Sequence, residues 1–173
     1  MKNYFDFFNL PKCFNIDMDL LDKIYYNFQK KIHPDNFIQK SKIDQDASVK
    51  LSTYLNKAYS ILKDPFLRSI YLCKLNGIDL NTKLNLNFSH DFLEQQMKWR
   101  ETLSIIKNKK DKGKLEILSK KIRKISKKEM RIIENFINKN QYNSAILNIH
   151  KLMFLKKFNI EINNAFMLMN ITQ

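Results

Sequence analysis

The sequence predicts an all-α protein. Only two glycines and three prolines occur in 173 residues, too few for the many turns that a sheet protein needs. Apolar residues instead recur at intervals of three and four through most of the chain, the period of a helix with one buried face. The few breaks carry helix punctuation: Asp17 and Asp64-Pro65 as starts, Gly77, Gly113 and Asn140 as stops. A chain of this length suits one or two small domains.

The elements follow in order. Tyr4 to Asn9, closed by Leu10-Pro11, reads as a single-turn helix packed on something larger. Asp17 caps the second helix, with Asp19 and Asp22 near its positive end. Its apolar line is Leu21, Ile24, Phe28 and Ile32, and its opposite face carries Lys23, Lys30 and Lys31. It ends at Ile32, because Pro34 disfavours helical geometry at His33. Residues 33–43 form a loop. A third helix runs from about Asp44 to Lys63 on the stripe Ala47, Leu51, Tyr54, Ala58 and Leu62. Asp64 caps a fourth, with Pro65 at its first position; Phe66, Ile70 and Leu75 face inward and Gly77 terminates it.

Residues 78–89 lack a clean period and read as a linker, with Leu80, Leu84 and Leu86 suggesting that it packs on a surface. Three long helices follow, roughly 90–109, 114–138 and 141–168. Leu115, Leu118, Ile122 and Ile125 mark the middle one; Ala145, Ile149, Leu152 and Ile162 mark the last. Short connections make neighbours antiparallel, so these predict a three-helix bundle. The expected organisation is residues 1–77, a linker over 78–89, and a bundle over 90–173. The first bundle helix has two apolar stripes. Phe92, Trp99, Leu103 and Ile106 fit a core. Leu93, Met97 and Ile105 lie on a second stripe rotated by about 100°. A leftover apolar stripe either binds a partner or packs under the linker or the first domain.

Composition excludes several classes. Neither G-x-G-x-x-G nor G-x-x-x-x-G-K-[ST] occurs, so the glycine loops that cradle nucleotide phosphates are missing. Cys13 and Cys73 form no C-x-x-C, and free buried thiols in a reducing compartment are expected. No apolar run reaches membrane-spanning length, and the N-terminus has no secretory pattern, so a cytoplasmic protein is expected. The formal net charge of +14 favours acidic partners. However, the crowding of Lys, Asn and Ile is also what an AT-rich genome produces, so charge alone says little. A basic nucleic-acid binder is the rival function. Against it, the basic residues are spread along most helices and no helix-turn-helix signature stands out.

The tripeptide His33-Pro34-Asp35 lies between helices two and three. Alone it is a plausible turn and nothing more. Neither His90 nor His150 shares a ligand spacing with His33, and no companion completes a triad or zinc set, so neither catalysis nor metal binding is expected there. Its context is more informative: an aromatic first helix, a basic second helix, and then Ala58-Tyr59-Ser60-Ile61-Leu62-Lys63-Asp64-Pro65-Phe66-Leu67-Arg68. Together these resemble a J-domain. The resemblance implies docking on the ATPase domain of a DnaK-class chaperone and stimulation of its ATP hydrolysis. In that setting Asp35 can pair with a partner arginine, Pro34 fixes the loop in advance, and Lys23, Lys30 and Lys31, flanked by Lys40 and Lys42, steer toward an acidic groove.

Over essentially its whole length the chain resembles the HscB-type co-chaperones of iron–sulfur cluster assembly, in their bacterial form. The resembling stretches are Tyr4 to Pro11, Ile32 to Phe37, Arg68 to Leu80, Phe92 to Gln95, Arg100-Glu101 and Lys151 to Leu155. The resemblance implies an HscA-type chaperone and an IscU-type scaffold protein as partners, without nucleic acid, membrane or cofactor. Scaffold binding is carried over to Leu93, Met97, Glu101 and Phe154. Glu94 stands where that family has an apolar residue, and Lys98 and Ile105 where it has acids, which weakens the acidic character of the face. The two scattered cysteines cannot supply the usual four-thiolate ligation of a cluster. An enzyme using Glu94 and Glu101 is the weakest rival, because those carboxylates lie seven residues apart on one helix with no pocket implied.

Overall fold

The computed structural model describes residues 3–32, 41–78, 80 and 88–171. They fall into two compact units, Met1–Ile78 and Asp79–Gln173. Among the described residues there are seven helices and no strand.

The first unit holds α1 (Tyr4–Phe7), α2 (Met18–Ile32), α3 (Lys42–Lys63) and α4 (Pro65–Leu75). Side-chain caps set most of the boundaries. The Asn3 side-chain Oδ1 accepts from the Asp6 N–H (3.0 Å), and the Asp17 carboxylate from the Leu20 N–H (2.9 Å). α3 starts two residues earlier than its apolar period suggests. Ser41 Oγ accepts from the Asp44 N–H (3.2 Å) and donates to the Asp44 carboxylate (2.7 Å), a reciprocal cap built from polar residues. Asp64 accepts from Phe66 N–H (2.7 Å), with Pro65 opening α4 as expected. α4 closes with Gly77 at φ +79°, while the Ile78 N–H donates to Cys73 O (3.0 Å) and the Gly77 N–H to Lys74 O (3.1 Å). This is the two-bond closure that a left-handed residue makes possible.

The core of this unit is rich in phenylalanine: Phe5 and Phe8 are fully buried, joined by Phe14, Leu21, Leu55, Ala58, Leu62 and Leu72. α1 is short, but its rings reach the other three helices. Phe7 stacks on Phe28 of α2 (5.4 Å) and meets Tyr54 of α3 edge-on (5.0 Å); Tyr4 stacks on Tyr71 of α4 (4.5 Å). The inward face of α3 differs from the expected stripe. Ala58 and Leu62 are buried, but Ala47 and Leu51 are exposed, and Ser48 and Leu55 take the inward places. Leu75 is likewise exposed, with Leu72 and Cys73 inside instead. Both cysteines are free. Cys73 is buried, which pushes its thiol up to about 11, whereas Cys13 is only half-buried, contrary to expectation.

The second unit holds α5 (His90–Lys109), α6 (Lys112–Asn138) and α7 (Tyr142–Ile171). Gly113 is not a break. It sits inside the first turn of α6, whose cap is Asp111, accepting from the Lys114 N–H (2.9 Å); the chain reverses at Lys110, in the left-handed region at φ 49°. Asn140 does mark the second break, at φ 56°. The core is a continuous apolar seam: Trp99, Leu103 and Ile106 from α5; Leu115, Leu118, Ile122, Ile133 and Ile137 from α6; and Ala145, Ile149, Leu152, Leu155, Phe158 and Ile162 from α7. Asn148 of α7 donates to the Glu129 carboxylate of α6 (2.8 Å) across it.

Candidate partner-binding surfaces

In the first unit, His33, Pro34, Asp35 and Lys40 lie outside the described residues, as does most of the 78–89 stretch, including Leu84 and Leu86. The described residues on either side of 33–40 are tied to their own unit. α2 ends at Ile32, whose carbonyl accepts from Ser48 Oγ (2.8 Å), so the last turn of α2 is pinned to α3. α3 begins at the Ser41–Asp44 cap. Lys23, Lys30 and Lys31 are all exposed on α2, and the latter two lie in its last turn, where positive charge complements the helix dipole.

Deeper in the hairpin, the residues quoted as a motif have structural roles. Tyr59 stacks on Tyr25 (3.7 Å between centroids) and donates to the Asp22 carboxylate (2.8 Å), and Lys63 bonds both Tyr59 and Asp22. Burial is the main cause that raises the Tyr59 hydroxyl above its ordinary value. Arg68 is buried, at 4% exposure. It donates to Leu62 O (2.7 Å) and to the carbonyls of Phe14 and Lys63, and its guanidinium lies 5.6 Å from the centre of the Phe14 ring. Burial lowers its pKa. The carbonyls at the negative end of α3 are suited to hold this cation without a carboxylate.

In the second unit the two stripes of α5 separate cleanly. Trp99 and Ile106 are 4% and 2% exposed, whereas Leu93, Met97 and Ile105 are 45%, 65% and 55% exposed. Glu101 is exposed one turn beyond Met97. Phe154 of α7 is half-buried in an aromatic stack: Phe158 at 6.0 Å, Trp99 at 6.4 Å, and Phe92 edge-on at 6.1 Å. Its contact with the Leu93–Met97 row comes through Arg100, whose guanidinium lies 5.5 Å from the Phe154 ring centre. Arg100 is seven residues from Leu93 and three from Met97, so it stands on their row. Sequence reasoning quoted Arg100 without assigning it a role, although that spacing was there to find. Lys151 likewise covers the Phe92 ring (5.3 Å).

The departures noted in the sequence interact with each other. Lys98 pairs with Glu94 one turn away (2.7 Å), and that hydrogen bond is the main cause that raises the Lys98 pKa. Exposed as it is, the pair adds little stability, but it cancels two charges beside the apolar row. Among the described residues, no group of three or more His, Cys, Asp or Glu could hold a metal ion, and no helix is long and apolar enough to cross a membrane.

The fold is all-helical among the described residues, and α5 buries one apolar stripe while leaving Leu93, Met97 and Ile105 exposed. The family model for the HSCB C-terminal oligomerisation domain matches residues 89–163. The co-chaperone protein HscB homologue of Neisseria meningitidis serogroup A is 34% identical over 95% of this chain and 99% of its own length. That of Haemophilus ducreyi is 36% identical over 95% and 96%. The solved structure of chaperone HscB from Vibrio cholerae superposes with a TM-score of 0.86 at 30% identity, covering 97% of this chain and 99% of that one. The chain belongs to the HscB co-chaperone family. Human co-chaperone HscB shares the fold, with a TM-score of 0.86 at 24% identity over 94% of this chain and 81% of that one.

Proposed function

We propose that this chain is a cytoplasmic co-chaperone of iron–sulfur cluster assembly with no catalysis of its own. Residues 1–77 act as the J-domain, 78–89 as a linker, and 90–173 as the scaffold-binding bundle. His33, Pro34 and Asp35, with Lys23, Lys30 and Lys31 beside them, dock on an HscA-type DnaK-class chaperone and stimulate its ATP hydrolysis. Leu93, Met97, Glu101 and Phe154, joined by Arg100, hold an IscU-type scaffold protein and bring it to that chaperone. The observation that carries this reading is the exposed Leu93–Met97 row joined through Arg100 to Phe154, on a chain similar from end to end to HscB co-chaperones.

Steady-state ATPase assays of the cognate chaperone, with and without its scaffold, test both halves. The wild type accelerates hydrolysis, and scaffold adds to the effect. His33→Gln abolishes the acceleration while leaving scaffold binding intact in calorimetry. The double substitution Leu93→Ala, Phe154→Ala keeps the basal acceleration, loses the scaffold-dependent increment, and weakens scaffold binding at least about tenfold, as truncation of central apolar anchors does. Normal stimulation by His33→Gln, or unchanged scaffold affinity in the double variant, overturns the corresponding half.

A further inference from the structure

Although basic residues occur along most helices, α6 carries a dense run of them. From Lys120 to Arg131, every exposed residue is Lys or Arg. These twelve residues hold seven of the 31 cations in the chain. The remaining exposed positions of α6 hold Gly113, Lys114, Glu116, Ile117, Asn135 and Asn138, so this density is confined to its middle. At 100° per residue, Lys120, Lys124, Lys127 and Arg131 form a middle row about 16 Å long. Arg123 lies to one side of it, Lys121 and Lys128 to the other, so the cations span an arc of roughly 160° opposite the buried seam. The acid within the segment, Glu129, is turned toward α7 and accepts from Asn148. Among the described residues no ion pair neutralises any of the seven. Like charges three and four residues apart weaken a helix, so this face carries a cost that a bound polyanion would remove.

We infer that the outward face of α6 binds the phosphate backbone of duplex DNA, without sequence preference. The shape of the charge selects this occupant. A planar anionic membrane would meet the middle row alone and leave Arg123 and Lys121 pointing sideways. An acidic protein interface would need an apolar anchor at its centre, and the exposed arc has none between Lys120 and Arg131. A groove with phosphates on both walls engages the whole arc. The B-form major groove, about 12 Å wide, admits a helix of this diameter. Lys124, Lys127, Lys128 and Arg131, with Ile132 and Asn135 beside them, line a surface hollow of about 600 Å³ in which cations outnumber the single apolar side chain.

The test is fluorescence anisotropy of the full chain with a labelled 20-base-pair DNA duplex of mixed sequence, titrated over a range of salt. Micromolar-order binding is expected, steeply weakened by salt. The variant Lys124→Gln, Lys127→Gln, Lys128→Gln, Arg131→Gln loses at least tenfold in affinity, and its log–log salt slope falls by roughly 3 to 4. A control that removes four exposed charges elsewhere (Lys50→Gln, Lys57→Gln, Lys74→Gln, Lys107→Gln) changes affinity less than threefold. Equal losses in both variants, absence of binding at low salt, or tighter binding to polyglutamate or to phosphatidylcholine vesicles with 30 mol % phosphatidylglycerol overturns the assignment. The readout needs neither chaperone nor scaffold, so it stands or falls apart from the co-chaperone function.

Discussion

The two units solve the packing problem differently. Among the described residues, three of the four buried polar side chains, Ser48, Arg68 and Ser69, lie in the first unit and only Ser119 in the second. The first unit has four helices, one a single turn, and closes its small core with phenylalanine rings and polar ties at helix ends. Ser48 pins the end of α2, Tyr59 and Lys63 hold Asp22, and Arg68 ties the carbonyls at the end of α3 to that of Phe14. The second unit has helices of 20, 27 and 30 residues and relies on one long apolar seam. A short core gains little from area alone and needs directional bonds to fix one geometry, whereas a long seam fixes itself. That difference would suit the proposed roles of the two units, a hairpin that fixes the spacing between the end of α2 and the start of α3 and a bundle that leaves its outer faces free.

The sharpest test of the contrast removes the dominant tie from each unit. Phe158 is fully buried and stacks on Trp99 and Phe154, so Phe158→Ala is expected to cost about 4 kcal/mol. Trp99 is the single tryptophan, so its fluorescence reports urea unfolding of the second unit directly. Arg68→Met keeps the bulk but leaves the Leu62 and Phe14 carbonyls without their donor, at a cost of about 3 kcal/mol. That loss should move the far-ultraviolet circular dichroism transition and leave the Trp99 transition in place. If both signals move together in both variants, the units unfold as one body and the contrast fails.

Much of this was legible from sequence because caps and breakers act locally. Asp17, Asp64-Pro65, Gly77 and Asn140 each do what their chemistry predicts. Gly113 misled because a glycine marks a break by default, yet Asp111, two residues earlier, is the cap that starts α6. Ala47 and Leu51 misled because an apolar period can be read one residue out of phase. The true inward position is Ser48, a polar residue that no hydrophobic count includes. Arg68 was visible as part of a pattern, but its burial was not, since an arginine is surface by default. The exposure of Leu93 and Met97 was legible from the excess of apolar residues on α5, whereas the contact of Arg100 with Phe154 needed α7 to bring the ring there.

The polar ties can also be weakened singly. Ser48→Ala leaves the Ile32 carbonyl without the Ser48 donor and is expected to cost about 1 kcal/mol. The informative readout is local: amide exchange in the last turn of α2 should speed up more than in α4. Uniform acceleration across the unit would mean that Ser48 contributes to general stability and does not set the spacing of the hairpin.

The smallest effect tests whether the seam of the second unit is as free of polar demands as it looks. His150 of α7 has a buried Nε2 with no hydrogen-bond partner among the described residues, and burial lowers its pKa below the ordinary 6.5. The folded state therefore takes up a proton less readily than the unfolded chain. Above about pH 6.5 both forms are neutral and His150 does not affect the balance. As pH falls below that value the unfolded chain is protonated first, so stability drops until the folded pKa is reached and then levels off. The Trp99 unfolding midpoint should decline between pH 7.5 and 5, and His150→Gln should flatten that part of the decline. An unchanged slope in the variant would assign the decline to other groups and leave His150 protonated as readily folded as unfolded.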